Sequence, residues 1–196
     1  MNPLRHLAVF FSRAKVKLKR RILVHRILYH NPTLVCDPTT IWDYGYSDLD
    51  AIKIGKNVAV GAFTEIVVYK KVRYSSVAGK LTLSDNTVVT TGVSIRAAGG
   101  EIFLGEYSGI GTNSVLVAST HSIEPGKTFL YKDWDESKTG IRSGRNVWVG
   151  ASCMIMPGVE IGDDVIVGAG SVVTKNIPSG EIWAGVPARF LKKVSA

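Results

Sequence analysis

Residues 143–178 read in sixes: SGRNVW, VGASCM, IMPGVE, IGDDVI, VGAGSV, VTKNIP. From Val149 on, each hexad opens with an aliphatic side chain: Val149, Ile155, Ile161, Val167 and Val173. A small or branched residue stands four further on, as Cys153, Val159, Val165 and Ser171 do, and Ile177 holds that place in the last hexad. A helix repeats about every 3.6 residues and a strand about every 2, so neither explains a period of six. A chain that makes a short flat strand, turns a corner and repeats does explain it, with three hexads closing one triangular coil. Each coil turns its aliphatics inward and stacks on the next at about 4.8 Å. No coil buries its apolar edge alone, so several must stack. The period therefore predicts an all-β chain, a parallel β-helix of hexapeptide repeats.

The same rhythm is found upstream. Hexads open at Ile54, Val60 and Ile66, lose phase through Tyr69–Tyr74, and resume at Leu83, Val89 and Ile95. Nine residues, not six, separate Ile95 from Leu104, a small insertion at one corner near Gly99-Gly100. Leu104, Ile110 and Leu116 follow, so the β-helix is expected over 54–178. The Leu116 hexad closes at His121, and the next begins only at Ser143. The intervening loop, 122–142, holds Pro125-Gly126, the aromatics Phe129, Tyr131 and Trp134, and both signs of charge. A loop this long inside a compact repeat is usually functional. It should project, and pack on a neighbour or close over a cleft.

Charge singles out the other end. Residues 1–30 hold eight Lys/Arg and no acid, while the whole chain is +8, so everything after residue 30 is neutral in sum. Leu4, Leu7, Phe10, Phe11, Ala14, Leu18 and Ile22 recur near helical spacing, and Asn31-Pro32 stops the pattern. A basic amphipathic helical arm is expected over 1–33. Two readings fit it: a cap on the open end of the β-helix or packing within a trimer, and contact with an anionic membrane surface, which could coexist with it. Nucleic acid is not an expected partner, because no recognition module accompanies the charge. Residues 34–53 read as a connection and cap, and 179–196 as a C-terminal tail. Asp37, Trp42, Asp43, Tyr44, Tyr46 and Asp48 crowd the connection. Rings and carboxylates together suit a sugar site, with Asp43 as a substrate-binding candidate, and they equally suit a packed cap. Cys36 and Cys153 form no disulfide framework, and Cys153 falls on an inward position. No apolar run approaches the ~20 residues that cross a bilayer, and no apolar core follows the early basic residues as in a signal peptide. The expected location is cytoplasmic, at the inner face of the membrane if the arm binds it.

Of the four histidines, His6, His25, His30 and His121, only His121 lies in the repeats. It stands where the coil gives way to the loop. A neutral imidazole is well suited to take a proton from a hydroxyl near neutral pH. Its second nitrogen needs an acceptor, for which Glu124, Asp43, Glu160 and a backbone carbonyl are all candidates. One histidine in the solenoid excludes a zinc site built from three, and no metal is expected.

The hexads, STH at 119–121, the loop, NVWVGASCMIMPGVEIG, VIVGAGSVVTKNIPSG and AGVPAR together resemble the hexapeptide-repeat acyltransferases. The nearest branch is the sugar and polysaccharide O-acetyltransferases: galactoside, maltose and nodulation-factor enzymes. The resemblance is close over 104–193 and only generic over 54–103. It implies a left-handed parallel β-helix and a homotrimer with active sites between subunits. It also implies acetyl-CoA as co-substrate and a saccharide acceptor. His121 matches the catalytic base. Ala151 and Ala169 match positions whose backbone holds the pantetheine arm, and Thr174 and Lys175 match positions near the adenosine. Arg189 and Lys192 match the basic positions that meet coenzyme phosphates. Lys192 replaces the arginine usual there, keeping the charge but losing the planar fork. Trp148 matches an aromatic beside the acetyl group and equally suits packing. The asparagine that binds sugar in the galactoside enzymes has no clear counterpart, and Asn113 and Ser94 are substitutes. An N-acetyltransferase acting on an amino sugar nucleotide is the alternative activity.

Overall fold

The computed structural model describes residues 18, 21–44, 49–126, 128 and 133–195. The hexads close into a three-sided prism. Its first coil is β1 (Val35–Cys36), β2 (Ile41–Tyr44) and β3 (Ile52–Ile54). The second is β4 (Ala59–Val60), β5 (Glu65–Tyr69) and β6 (Lys80–Leu83); the third is β7 (Val88–Val89), β8 (Ser94–Ala98) and β9 (Glu101–Leu104). The fourth is β10 (Gly109–Ile110), β11 (Val115–Val117) and β12 (Ile141–Ser143); the fifth is β13 (Trp148–Val149), β14 (Met154–Ile155) and β15 (Val159–Ile161). β16 (Ile166–Val167) and β17 (Val172–Val173) begin a sixth, and β18 (Glu181–Gly185) and β19 (Ala188–Lys193) close the chain.

Every third strand pairs in parallel. Face 1 runs β1-β4-β7-β10-β13-β16-β18-β19, face 2 runs β2-β5-β8-β11-β14-β17, and face 3 runs β3-β6-β9-β12-β15. Ile110, Val149 and Val167 are stacked partners, as are Leu116, Ile155 and Val173. These inward residues form one continuous buried column from end to end. Ser143 takes an aliphatic's place on the inside, and its hydroxyl accepts the Gly105 N–H at 3.1 Å. Cys153 is buried as its hexad position requires, and burial pushes its thiol pKa up.

The three corners differ. Between faces 3 and 1 the turn residues Asn57, Asn86, Tyr107, Asn146 and Asp164 all adopt φ of 55–59°. Between faces 1 and 2 the same left-handed backbone recurs at Phe63, Gly92, Asn113, Ser152 and Gly170. Asparagine and glycine tolerate this region better than most residues. The corner between faces 2 and 3 is tight only in the fifth coil, at 156–158. In the four coils above, every insertion in the chain falls there, after β2, β5, β8 and β11.

Residues 34–53, read above as a connection and cap, form the first coil, since β1, β2 and β3 pair with β4, β5 and β6. Its inward places are held by Leu34, Thr40 and Trp42 rather than a run of aliphatics, which hid the period. The cap is instead α1, residues 21–30. Ile27 is 2% exposed and joins the core, with Leu23 and Val24 packed against it. Asn31 ends the helix, its side-chain amide donating to the Ile27 carbonyl at 2.8 Å. The remainder of the basic arm, 1–17 and 19–20, lies outside the described residues, as do Phe129 and Tyr131 of the long loop. The expected tail is largely the antiparallel hairpin β18–β19, which extends face 1.

Candidate active site

The corner insertions pack on one another and build a cleft of about 520 Å³. Its floor is face 2, where side chains of β5, β8 and β11 point outward: Val67 and Tyr69, Arg96 and Ala98, and Val117. Ser119, Thr120, His121 and Trp134 complete the wall. Parallel register puts Val67 beside Arg96 and Arg96 beside Val117, so residues far apart in sequence become neighbours through stacking.

His121 is exposed at the cleft mouth and pairs across an isolated antiparallel bridge with Trp134. Backbone bonds flank it: Asp135 N–H to the Thr120 carbonyl at 3.0 Å, and Ser122 N–H to the Asp133 carbonyl at 3.3 Å. The imidazole meets the Trp134 ring edge-on, with centroids 5.9 Å apart and planes at 75°. Trp134 in turn lies against Gly99, whose φ is +66°; a Cβ there would stand 2.5 Å from the indole Cε3. The small insertion at Gly99-Gly100 is thus the seat of Trp134. A clasp fixes the far end of the loop. Glu136 accepts from the Ser75 hydroxyl at 2.8 Å, the Ser76 N–H at 2.6 Å and the Ser76 hydroxyl at 2.9 Å. These bonds hold the Glu136 carboxyl below its usual pKa. The Trp134 backbone N–H also donates to the Tyr74 carbonyl at 2.7 Å.

Charge in the cleft is paired. Arg96 Nη1 donates to Glu65 Oε2 at 2.7 Å on the adjacent strand. Ser94 Oγ lies 3.5 Å from the same carboxylate oxygen. The Tyr69 hydroxyl donates to Asp43 Oδ2 at 3.0 Å, so Asp43 reaches the cleft through Tyr69. Arg96, Tyr69 and Ser119 went unassigned in the sequence. For Arg96 and Tyr69 the signal was register, since β5 and β8 stack on β11, and for Ser119 it was its place in the hexad that ends at His121.

The other candidates are spread along the prism. Asn113 stands at the corner between faces 1 and 2 with φ of 59°, and the chain's own fold does not bring it to His121. Ala151 and Ala169 occupy that corner in successive coils, and the Ala151 carbonyl accepts from Gly170 at 2.8 Å. Trp148 is 64% exposed on face 1, between Gly109 and Ile166. Thr174 and Lys175 are exposed just after β17, and Arg189 and Lys192 lie on β19, with Arg189 Nη1 donating to the Ala188 carbonyl at 2.9 Å. From His121 these positions descend the prism in steps of about 4.8 Å. Among the acids considered for orienting His121, Glu160 stands on face 3 opposite Arg142, and Asp43 is engaged by Tyr69. Among the described residues no group of three His, Cys, Asp or Glu is placed to hold a metal ion.

Comparison with known proteins follows the same lines. Residues 144–175 match the family model "Bacterial transferase hexapeptide (six repeats)". The galactoside O-acetyltransferase of Escherichia coli (strain K12) is 36% identical over 94 residues, 48% of this chain and 45% of that protein. This chain thus spans less than half the length of that relative. The putative colanic acid biosynthesis acetyltransferase WcaF of Escherichia coli (strain K12) is 30% identical over 141 residues, 72% of this chain and 69% of that protein. Among solved structures, a mutant of AntD, an N-acyltransferase from Bacillus cereus, superposes with a TM-score of 0.68 at 22% identity, covering 84% of this chain and 82% of that one. Hexads, fold and relatives agree, and the chain belongs to the bacterial hexapeptide-repeat transferases, in the group that includes these acetyltransferases.

Proposed function

We propose that this protein transfers the acetyl group of acetyl-CoA to a hydroxyl of a saccharide, a cell-surface polysaccharide or its precursor, working as a homotrimer with sites between subunits. The observation that carries the reading is His121 at the mouth of a cleft built only where the repeat is broken. Tyr69, Arg96 and Ser119 offer hydrogen bonds to hydroxyls, and Trp134 stands edge-on to the imidazole. The kinship with a colanic acid biosynthesis acetyltransferase supports the acceptor class.

The thioester supplies an already activated acyl group. His121 accepts the proton of the acceptor hydroxyl as that oxygen bonds to the carbonyl carbon. Backbone N–H groups at the coil edge hold the developing oxyanion. The carbon–sulfur bond then breaks, and His121 returns the proton to the thiolate. Trp134 and the Glu136 clasp keep the imidazole in place. Ala151 and Ala169 admit the coenzyme along their corner, and Lys175, Arg189 and Lys192 meet its phosphates.

The second reading is N-acetylation of an amino sugar nucleotide. Asp43 and Glu65 favour it, since carboxylates beside the cleft would bind an ammonium group. The AntD structure contains dTDP-4-amino-4,6-dideoxyglucose and coenzyme A. Thiol release measured over neutral saccharides, acidic oligosaccharides and amino sugar nucleotides separates the two readings. His121→Ala should lower turnover on the preferred acceptor by about 10²–10⁴-fold, the usual contribution of a general base. Coenzyme binding, read by calorimetry, should change little. Turnover within threefold of the parent would remove His121 from the chemistry.

A further inference from the structure

α1 is apolar on two opposite sides. Leu23, Val24 and Ile27 face the prism and close its core. On the other side Ile22 and Tyr29 are 52% and 75% exposed. At 3.6 residues per turn these two and His25 fall within about 60° of arc, opposite Ile27. Arg21 and Arg26 flank the stripe, one on each side. Along the Arg21 flank, Val24, His25 and Leu28 line a recess of about 520 Å³ against Ile41 and Trp42 of the first coil. A cap needs one apolar face. The second face is surplus to capping, and it lies in the segment that carries the chain's whole excess charge, eight Lys/Arg and no acid in residues 1–30.

We infer that the prism docks end-on to an anionic lipid bilayer through α1, with Ile22 and Tyr29 entering the interface and Arg21 and Arg26 meeting lipid phosphates. Apolar contact and cationic attraction are the two terms of peripheral helix binding. Each Lys/Arg near an anionic leaflet raises partitioning by about fivefold. No helix among the described residues is long and apolar enough to cross a membrane, so the contact is superficial. The cleft spans the second to fourth coils, about 5–15 Å below the first coil, and α1, about 10 Å across, lies between that coil and the docked bilayer. A threefold axis along the prism would present three such helices to one surface, multiplying their attachment.

The test needs neither coenzyme nor acceptor, so its outcome is separate from that of the proposed activity. The full-length protein is sedimented with phosphatidylcholine vesicles, with and without phosphatidylglycerol. The expected result is capture by the anionic vesicles at low salt and release as salt screens the attraction. Ile22→Glu combined with Tyr29→Glu should cut the captured fraction by about tenfold and leave melting temperature and oligomeric state unchanged. Val186→Glu, at the opposite end of the prism, should bind as the parent does. A parent protein that stays off anionic vesicles at low salt overturns the inference. So does release by Val186→Glu and not by the α1 variant. An α1 variant that changes the oligomeric state would give the stripe to another protein surface instead, and also overturns it.

Discussion

The corner between faces 1 and 2 and the corner between faces 2 and 3 bound the same sheet, yet they are built by opposite rules. At the first, each coil from the second to the sixth turns through one left-handed residue, and Phe63, Gly92, Asn113, Ser152 and Gly170 stack at equivalent places. At the second, four successive coils carry insertions of different lengths, which hold one another through Trp134, Gly99 and the Glu136 clasp. The tight corner fixes spacing. The open corner uses that spacing to bring Tyr69, Arg96 and His121 to one cleft. In this fold the inward column and tight turns hold stability, while departures from the repeat hold the site.

That division can be broken by mutation. The largest effect on stability is expected at Ile155, fully buried in the column. Ile155→Ala should cost about 2–5 kcal/mol, as large-to-small core changes do, with a matching fall in denaturant midpoint. The remaining folded protein should turn over normally. Next comes the corner between faces 3 and 1, which turns through the same left-handed backbone as the tight corner of face 2. Asn146→Val forces a β-branched residue into φ of 55° and removes the Nδ2 bond to Asp164 at 2.6 Å. A loss of about 1–3 kcal/mol is expected, again with turnover per folded molecule intact. A smaller, purely functional change is expected at Arg189. Arg189→Ala should raise the apparent KM for acetyl-CoA several-fold, roughly one lost phosphate contact, with kcat at saturation nearly flat. Equal loss in kcat with KM unmoved would place Arg189 elsewhere.

The smallest effect sharpens the comparison most. Glu136 has its carboxyl pKa lowered from 4.5, first by the Ser75 hydroxyl and then by the Ser76 N–H and hydroxyl. A depressed carboxyl stabilises fully above its unfolded value and loses that contribution as pH falls through its folded value. The clasp should therefore hold at neutral pH and loosen only in acid. Glu136→Gln should barely move the melting temperature, yet raise the acceptor KM by about twofold to fivefold by freeing Trp134. A melting shift as large as that of Ile155→Ala would show that the open corner carries the fold after all.

The sequence made the column legible because inward positions repeat every six residues regardless of their neighbours. Val149, Ile155, Ile161, Val167 and Val173 are all buried as that period requires. It made the first coil illegible because Trp42 and Thr40 stand at inward places where other coils carry aliphatics, and because more than one hexad of sequence separates Trp42 from Ile52. The site was half legible. His121 stood out as the one histidine in the repeats. Arg96 and Tyr69 did not, because a half-exposed arginine and a tyrosine in a loose stretch have no local pattern. Only the pairing of β5, β8 and β11 gives them a common address. Gly99 was visible as part of an extra length of chain, but its reason is an indole that arrives from 35 residues later.

A parallel β-helix is in principle a fibre, since each coil offers the next a complete set of unpaired backbone groups. This chain stops growth at both ends by different means. At one end α1 lays Ile27 over the open core. At the other, the chain reverses, and β19 runs antiparallel to β18 and becomes the last strand of face 1. β19 carries Arg189, Lys192 and Lys193, and Lys193 is tied to Glu181 at 2.7 Å. Charged side chains on an edge strand deter another strand from adding there. Arg189 and Lys192, proposed above as phosphate contacts, thus also act as terminators, and removing several of these cations at once would trade a discrete particle for end-to-end polymer.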